Sequence, residues 1–230
     1  MIFVHPDIET HIDTGNGRYN TLVIENQGFM TAMLTDITEQ LAGRSGQAVL
    51  SKHGKPLPIS KHLILLDRFI PFNLNQKALI NHIVSAMIDK SNDPAQFEPT
   101  AEVMRAVENW LNELTYDLPC EVVFPKLMPS MLIKTAAPEI LCAHDSIAER
   151  VLDLMELISE FEHGCLFVTV NMRAFVPDEE MALFSETVVS HGHAVLALEG
   201  RELPILPSER RILIDKDLCE IDYDSPNPPV

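Results

Sequence analysis

The chain mixes short, wholly apolar runs with longer stretches in which apolar residues return every three or four positions. Cys165-Leu-Phe-Val-Thr-Val-Asn171 and Ala194-Val-Leu-Ala-Leu198 are runs of the first kind, as expected of strands buried on both faces. Between them, Pro177-Asp-Glu-Glu180 opens a helix. Proline suits a first helical turn, and carboxylates are stabilised at the positive end of the helix dipole. Arg210–Asp215 reads as a third strand, reached through a Pro-rich link. Residues 165–215 therefore predict a β-α-β unit with parallel strands and a right-handed crossover.

Upstream, Ile2–Val4 and Glu9–Ile12 read as short strands and Tyr19–Glu25 as a longer one, with Gly15-Asn16-Gly17 between them predicting a hairpin. Phe29, Met33, Leu34 and Ile37 form an apolar stripe on a helix from Gln27 to Leu41, which Gly43 ends. Gln47–Lys52, the His53-Gly54 turn and Leu63–Leu66 continue the sheet. Asn75–Lys90 is amphipathic, with Leu79, Ile80, Ile83, Val84 and Met87 on one side.

A polar, Pro-containing break at Ser91–Pro99 leads to a helix from Thr100 to Tyr116 carrying Val103, Val107, Trp110, Leu111 and Leu114. Residues 118–139 hold four prolines and admit only short pieces of structure. Ser146–His163 is the clearest helix, with Ser146 as its cap and Glu149 completing a capping box. The predicted class is α/β. Residues 1–74 and 146–224 form a discontinuous sheet domain, 75–145 a helical insertion, and 225–230 a frayed tail.

Composition narrows the function classes. An apolar content of 46% is incompatible with wholesale disorder, and the apolar runs are too short to span a bilayer. Met1-Ile-Phe-Val-His-Pro lacks a basic region before an apolar core, so no signal peptide is read there. Cys120, Cys142, Cys165 and Cys219 are widely spaced without a C-x-x-C, which suits a reduced, cytoplasmic protein. The net charge of −17 argues against a generic nucleic-acid binder. Its distribution does not. Residues 42–82 hold Arg44, Lys52, Lys55, Lys61, Arg68 and Lys77 against the single acid Asp67, so this segment is +5 and the remainder −22. The alternative is a lysine-bearing hairpin and a solvated helix face.

The candidate chemistry is sparse. No strand is followed by a glycine-rich phosphate cradle, and Asn26-Gln27-Gly28 after Tyr19–Glu25 cannot serve as one. Nucleotide hydrolysis is rejected on that ground. His191-Gly192-His193 offers two imidazoles without a convincing third ligand, and reads instead as a turn with a C-cap glycine. Asp178, Glu179 and Glu180 are explained by helix-start electrostatics. Glu113, Asp117 and Glu121 fall at spacing four around a helix end, as an oxygen-ligand site or as a solvated terminus.

Several ordered stretches resemble one family. Phe167-Val-Thr-Val-Asn171, Phe175-Val-Pro-Asp-Glu-Glu180, Val195-Leu-Ala-Leu-Glu199 and Ile214-Asp-Lys-Asp217 are similar to the C-terminal half of the small Csn family of type II-A CRISPR spacer-acquisition proteins. Thr21-Leu-Val-Ile-Glu25, Lys61-His-Leu-Ile-Leu-Leu-Asp-Arg68 and Phe72-Asn-Leu-Asn75 are similar to its N-terminal half. The resemblance implies a Rossmann-like, P-loop-ATPase-like sheet head with a degenerate phosphate site, a helical leg, and four copies closing a ring around linear double-stranded DNA ends.

It further implies calcium held in the leg, here at Glu113, Asp117 and Glu121, although Thr115, Leu118, Pro119 and Cys120 stand where relatives are richer in acids. The implied partners are the CRISPR integrase complex and the RNA-guided effector nuclease. Lys52, Lys55, Lys61 and Arg68 are the first candidates for DNA phosphate contacts, then Lys126 and Lys134. Arg210-Arg211 is read as a subunit contact. Two other readings stand beside this one: an α/β enzyme using Asp67 or Glu199 at a strand end, and an acidic protein-interaction module.

Overall fold

The computed structural model describes residues 1–162 and 164–223. In chain order its elements are β1 (Ile2–Val4), β2 (Ile12–Asp13), β3 (Tyr19–Ile24), α1 (Gln27–Leu41), β4 (Val49–Lys52), β5 (Lys55–Leu57), α2 (Ile59–His62), β6 (Leu63–Leu66), α3 (Lys77–Ser91), α4 (Phe97–Thr115), α5 (Pro129–Thr135), α6 (Ile147–Phe161), β7 (Leu166–Val170), α7 (Asp178–Ser190), β8 (Ala194–Glu199), β9 (Glu209–Ile214) and β10 (Glu220–Asp222). The chain divides into two compact units: residues 1–72 with 143–230, and residues 73–142. The tail predicted to fray lies outside the described residues.

The larger unit is built on a six-stranded sheet in the order β10-β9-β3-β8-β7-β6. β6, β7, β8, β3 and β9 run parallel, and β10 pairs antiparallel at the edge. The side-chain period of two splits this sheet into two unlike faces. Leu22 and Ile24 of β3, Leu166 and Val168 of β7, Leu196 and Leu198 of β8, and Ile212 and Ile214 of β9 lie on one face, in a single apolar cluster with Met30, Met33 and Ile37 of α1. Phe3, Ile12 and Leu50 join that cluster from a second sheet, β2-β1-β4-β5.

The alternate residues face the other way. Tyr19 meets Phe184 of α7 edge-on, with ring centroids 6.2 Å apart. Tyr19, Thr21, Thr169, Glu199, Glu209 and Arg211 are buried polar groups on this side of the strands. Arg211 donates to Glu209 Oε1 at 2.7 Å and to the Leu203 carbonyl at 2.6 Å. Arg210 pairs with Asp222 of β10 at 3.2 Å. Both arginines thus brace their own sheet.

Three local expectations are corrected. The Asn16-Gly17 turn forms, with Gly17 at φ +71°, but it joins no hairpin. β2 pairs with β1 in the small sheet, whereas β3 lies between β8 and β9 in the large one. Burying Leu22 and Ile24 among parallel neighbours outweighs a local antiparallel pairing. Likewise β4 forms its hairpin with β5 across His53-Gly54, while β6 leaves for the large sheet to pair with β7. Ser146 occupies the N-cap of α6 without a side-chain cap bond. Its hydroxyl donates to Glu180 Oε2 at 2.6 Å, and Glu149 faces His144 at 3.5 Å, so no capping box forms.

The smaller unit consists of α3, α4 and α5. Asn75 closes it, accepting from the Ile140 amide at 2.6 Å and donating to the Ile140 carbonyl at 3.3 Å. α4 starts three residues earlier than the pattern suggests. Asp93 accepts from the Ala95 amide and caps a short 3-10 turn running into the helix, and Pro99 sits in the first helical turn, where it is tolerated. Leu79 of α3 is buried, but α4 and α5 bury no residue. Trp110 and Leu114 are each 58% exposed.

Candidate functional site

The predicted basic residues of the first segment gather on consecutive elements. Lys52 and Lys55 are cross-strand partners flanking the His53-Gly54 turn. Lys61 lies on α2, and Arg68 follows β6. All four are exposed, and among the described residues none makes an ion pair. Other cations are consumed: Arg44 by Glu39, Arg173 by Asp178, Arg211 by Glu209 and Glu202. An unpaired cation at a strand turn or loop is available to a phosphate oxygen. Lys126 and Lys134 are exposed in the smaller unit, in the loop before α5 and on α5 itself.

Glu113 sits in the last turn of α4, with Asp117 and Glu121 in the segment after it. All three are exposed. Within one chain they do not converge as a ligand group: among the described residues, the group of three ligand side chains close enough to hold a metal ion is Glu156, His191 and His193.

That group brings together two elements. His191 is the C-cap of α7, Gly192 takes φ +72°, and the His193 and Gly192 amides donate to the Val188 and Val189 carbonyls at 3.1 Å. This is the Schellman ending expected for a glycine after a helix. The turn predicted at His191-Gly192-His193 is therefore present, and a third side chain of ligand type comes from α6. Glu156 Oε1 lies 2.8 Å from His191 Nδ1. Ser159, one helical turn further on, lies 3.3 Å from His193 Nδ1. Burial and the neighbouring His191 charge lower the His193 pKa. No sequence spacing connects Glu156 to the His pair; only α6 packing beside α7 does.

The C-terminal strand ends, where open α/β sheets hold ligands, are laced shut by side chains. Two residues separate β3 from α1, and Asn26 caps the helix by accepting from the Phe29 amide at 3.0 Å while donating to the Lys216 carbonyl at 2.9 Å. Asn171, at φ +51°, accepts from the Gly200 amide at 2.7 Å. Glu199 ends β8 only 3% exposed and accepts from the Arg173 amide at 3.3 Å. Burial pushes its carboxyl up to about 7, against the lowering pull of Arg173. An open groove of about 520 Å³ between α6 and α7 is lined by Ser146, Leu152, Glu180, Leu183, Phe184 and Thr187, not by Glu199. Asp67 is exposed beyond β6.

A family model for the CRISPR-associated protein Cas_Csn2 matches residues 40–218. The chain belongs to the Cas_Csn2 family. The match spans the basic segment, the whole helical unit and the parallel strands β6 to β9. A search of curated protein sequences found no match. Among solved structures, Stu0660 of Streptococcus thermophilus aligns over 94% of this chain and 75% of that one, at 11% identity and a TM-score of 0.54. At that identity the likeness is one of fold. The ADP conformation of MJ1267, an ATP-binding cassette of an ABC transporter, aligns at 9% identity over 94% and 84% of the two chains, with a TM-score of 0.40. Among the described residues no helix is long and apolar enough to cross a membrane.

Proposed function

We propose that this Cas_Csn2 chain is a non-enzymatic protein that binds the ends of linear duplex DNA during CRISPR adaptation, the acquisition of new spacers. The observation that carries the reading is the exposed, unpaired set Lys52, Lys55, Lys61 and Arg68 on a chain whose remaining surface is strongly acidic. Cations of this kind bind phosphates without reading sequence, while acidic surface elsewhere repels the duplex.

Four copies would close into a ring, multiplying each cation by the subunit count. The apolar stripe of α4, Val103, Val107, Trp110, Leu111 and Leu114, supports association, because Val103, Trp110 and Leu114 stay exposed within their own chain while Val107 and Leu111 are only half-buried. Lys126 and Lys134 would add phosphate contacts. Calcium would be held through Glu113, Asp117 and Glu121; exposed and spread over a helix end, they need ordering before they can converge on an ion. The sheet head is read as P-loop-ATPase-like with its phosphate site lost, supported by the two-residue, Asn26-capped link between β3 and α1. The CRISPR integrase complex and the RNA-guided effector nuclease are its proposed partners.

The test is a gel shift of the native oligomer on linear duplex with open ends and on duplex with both ends hairpinned and blocked, with calcium and with chelator. Binding restricted to open ends and lost on chelation is the expected result. Equal binding to blocked duplex would rule out threading. No binding to either DNA would overturn the DNA reading in favour of an acidic protein-interaction module.

A further inference from the structure

We propose that Glu156, His191 and His193 form a binding site for a divalent transition-metal ion of the zinc class, which clips helix α6 to the turn launching β8. One nitrogen from each ring and one carboxylate oxygen already lie within 4.8 Å of one another. Tetrahedral coordination with bonds of about 2.0–2.1 Å places ligand atoms roughly 3.3 Å apart. The farthest pair must therefore close by at most about 1.5 Å, and the 2.8 Å Glu156–His191 contact must open by about 0.5 Å. Side-chain rotation supplies both movements, because Glu156 and His191 are nearly half exposed.

The backbone beneath the two imidazoles is fixed. The Schellman ending of α7 sets His191 and His193 on either side of Gly192, held by the two amide bonds to Val188 and Val189. The His193 ring is oriented as well: Phe167 meets it edge-on with centroids 5.9 Å apart, and Ser159 contacts its Nδ1. Its other nitrogen, Nε2, is buried without a hydrogen-bond partner. A buried, unpartnered imidazole nitrogen is costly unless something fills its lone pair or takes its proton. A ring held through one nitrogen, with the other left over, is the arrangement outer-shell partners give metal-ligating histidines.

The donor set selects the ion. Two imidazoles and one carboxylate suit zinc, cobalt or nickel, whereas calcium prefers an all-oxygen shell. Water reaches the exposed side of the group and would complete four-coordination. The site is independent of the acids near α4 and of DNA binding, so it stands or falls apart from the proposed function.

The full-length protein, stripped with chelator, should be titrated with Zn2+ in equilibrium dialysis and with Co2+ by visible absorption. One stoichiometric equivalent is expected, with tetrahedral-type cobalt bands and a zinc-dependent rise in melting temperature. His191→Ala and Glu156→Gln, both at exposed positions, should each weaken binding by on the order of tenfold or more and remove the thermal shift. His53→Ala, at the β4–β5 turn, should leave all three readouts unchanged. Absence of a stoichiometric equivalent would overturn the site. So would an equivalent that survives in the His191→Ala, Glu156→Gln double variant.

Discussion

Ser146 reaches across to Glu180: its hydroxyl donates to the carboxylate at 2.6 Å, joining the N-terminal turns of α6 and α7. The residue whose sequence context marks it as a local cap thus makes a tertiary bond instead. Glu180 occupies the first turn of its own helix, where the dipole favours its charge. Ser146→Ala and Glu180→Ala should each cost about 1 kcal/mol of unfolding free energy, and a double-mutant cycle should return coupling of at least 0.5 kcal/mol. Glu149→Ala, which breaks no cap, should change stability by less than about 0.5 kcal/mol. A large loss for Glu149→Ala with no Ser146–Glu180 coupling would restore the capping box.

Glu199 makes stability depend on pH. Its folded pKa of about 7 stands above the ordinary 4.5, so the folded state holds the proton more tightly than the unfolded one. The stability this confers is complete below the unfolded value and is lost as pH rises through the folded value. Denaturant melts between pH 4.5 and 7 should show a decline on the order of 3 kcal/mol from this group. Glu199→Gln keeps an acceptor for the Arg173 amide without the charge, and should flatten that decline. An unchanged slope in the variant would assign it elsewhere.

DNA affinity should depend on salt through the cations of the 42–82 segment. Replacing Lys52 and Lys55 by Gln should weaken duplex binding for all sequences alike. Each phosphate contact removed should reduce the log–log salt slope by about 0.9. Both lysines are exposed and flank a turn, so the fold should be untouched, with melting temperature as the control. A lost affinity with an unchanged salt slope would mean that these lysines touch no phosphate.

Trp110 is 58% exposed, on a helix whose Val103 and Leu114 are exposed beside it. Trp110→Lys should shift the light-scattering mass toward the monomer while far-ultraviolet circular dichroism is retained. An unchanged mass would remove α4 from the subunit contact.

Arg211 and Glu209 are 2% and 0% exposed and meet at 2.7 Å. Arg211→Met should cost about 3–5 kcal/mol, because it leaves the Glu209 charge buried and uncompensated. Adding Glu209→Gln should recover part of that loss in a denaturant melt. Equal destabilisation of single and double variants would show that packing, not charge, is at stake.

Elements carried by periodicity were legible before any fold was known. Gln27–Leu41 is α1, and the continuous runs at 165–171 and 194–198 contain or nearly match the paired parallel strands β7 (Leu166–Val170) and β8 (Ala194–Glu199). The cations and the α4 stripe were legible for the same reason: each is a property of one residue and its near neighbours. Partner choice was not. Gly15-Asn16-Gly17 specifies a turn, yet the strands beside it enter different sheets, because burial among distant neighbours sets pairing.

Sequence alone determined where the long helices and the buried strands lie, that an acidic chain carries a basic segment, and which family's pattern it follows. These rest on local spacing and charge, which survive without knowledge of contacts. Tertiary structure alone decided which face of the large sheet is polar, that Arg210 and Arg211 point inward to carboxylates, and that Ser146 answers Glu180. It also placed Glu156 beside His191 and His193. The reason is physical: a hydrogen bond, an ion pair or a ligand set needs atoms within a few ångströms. For residues far apart in the chain, only the packing of α6, α7 and the strands between them sets that distance.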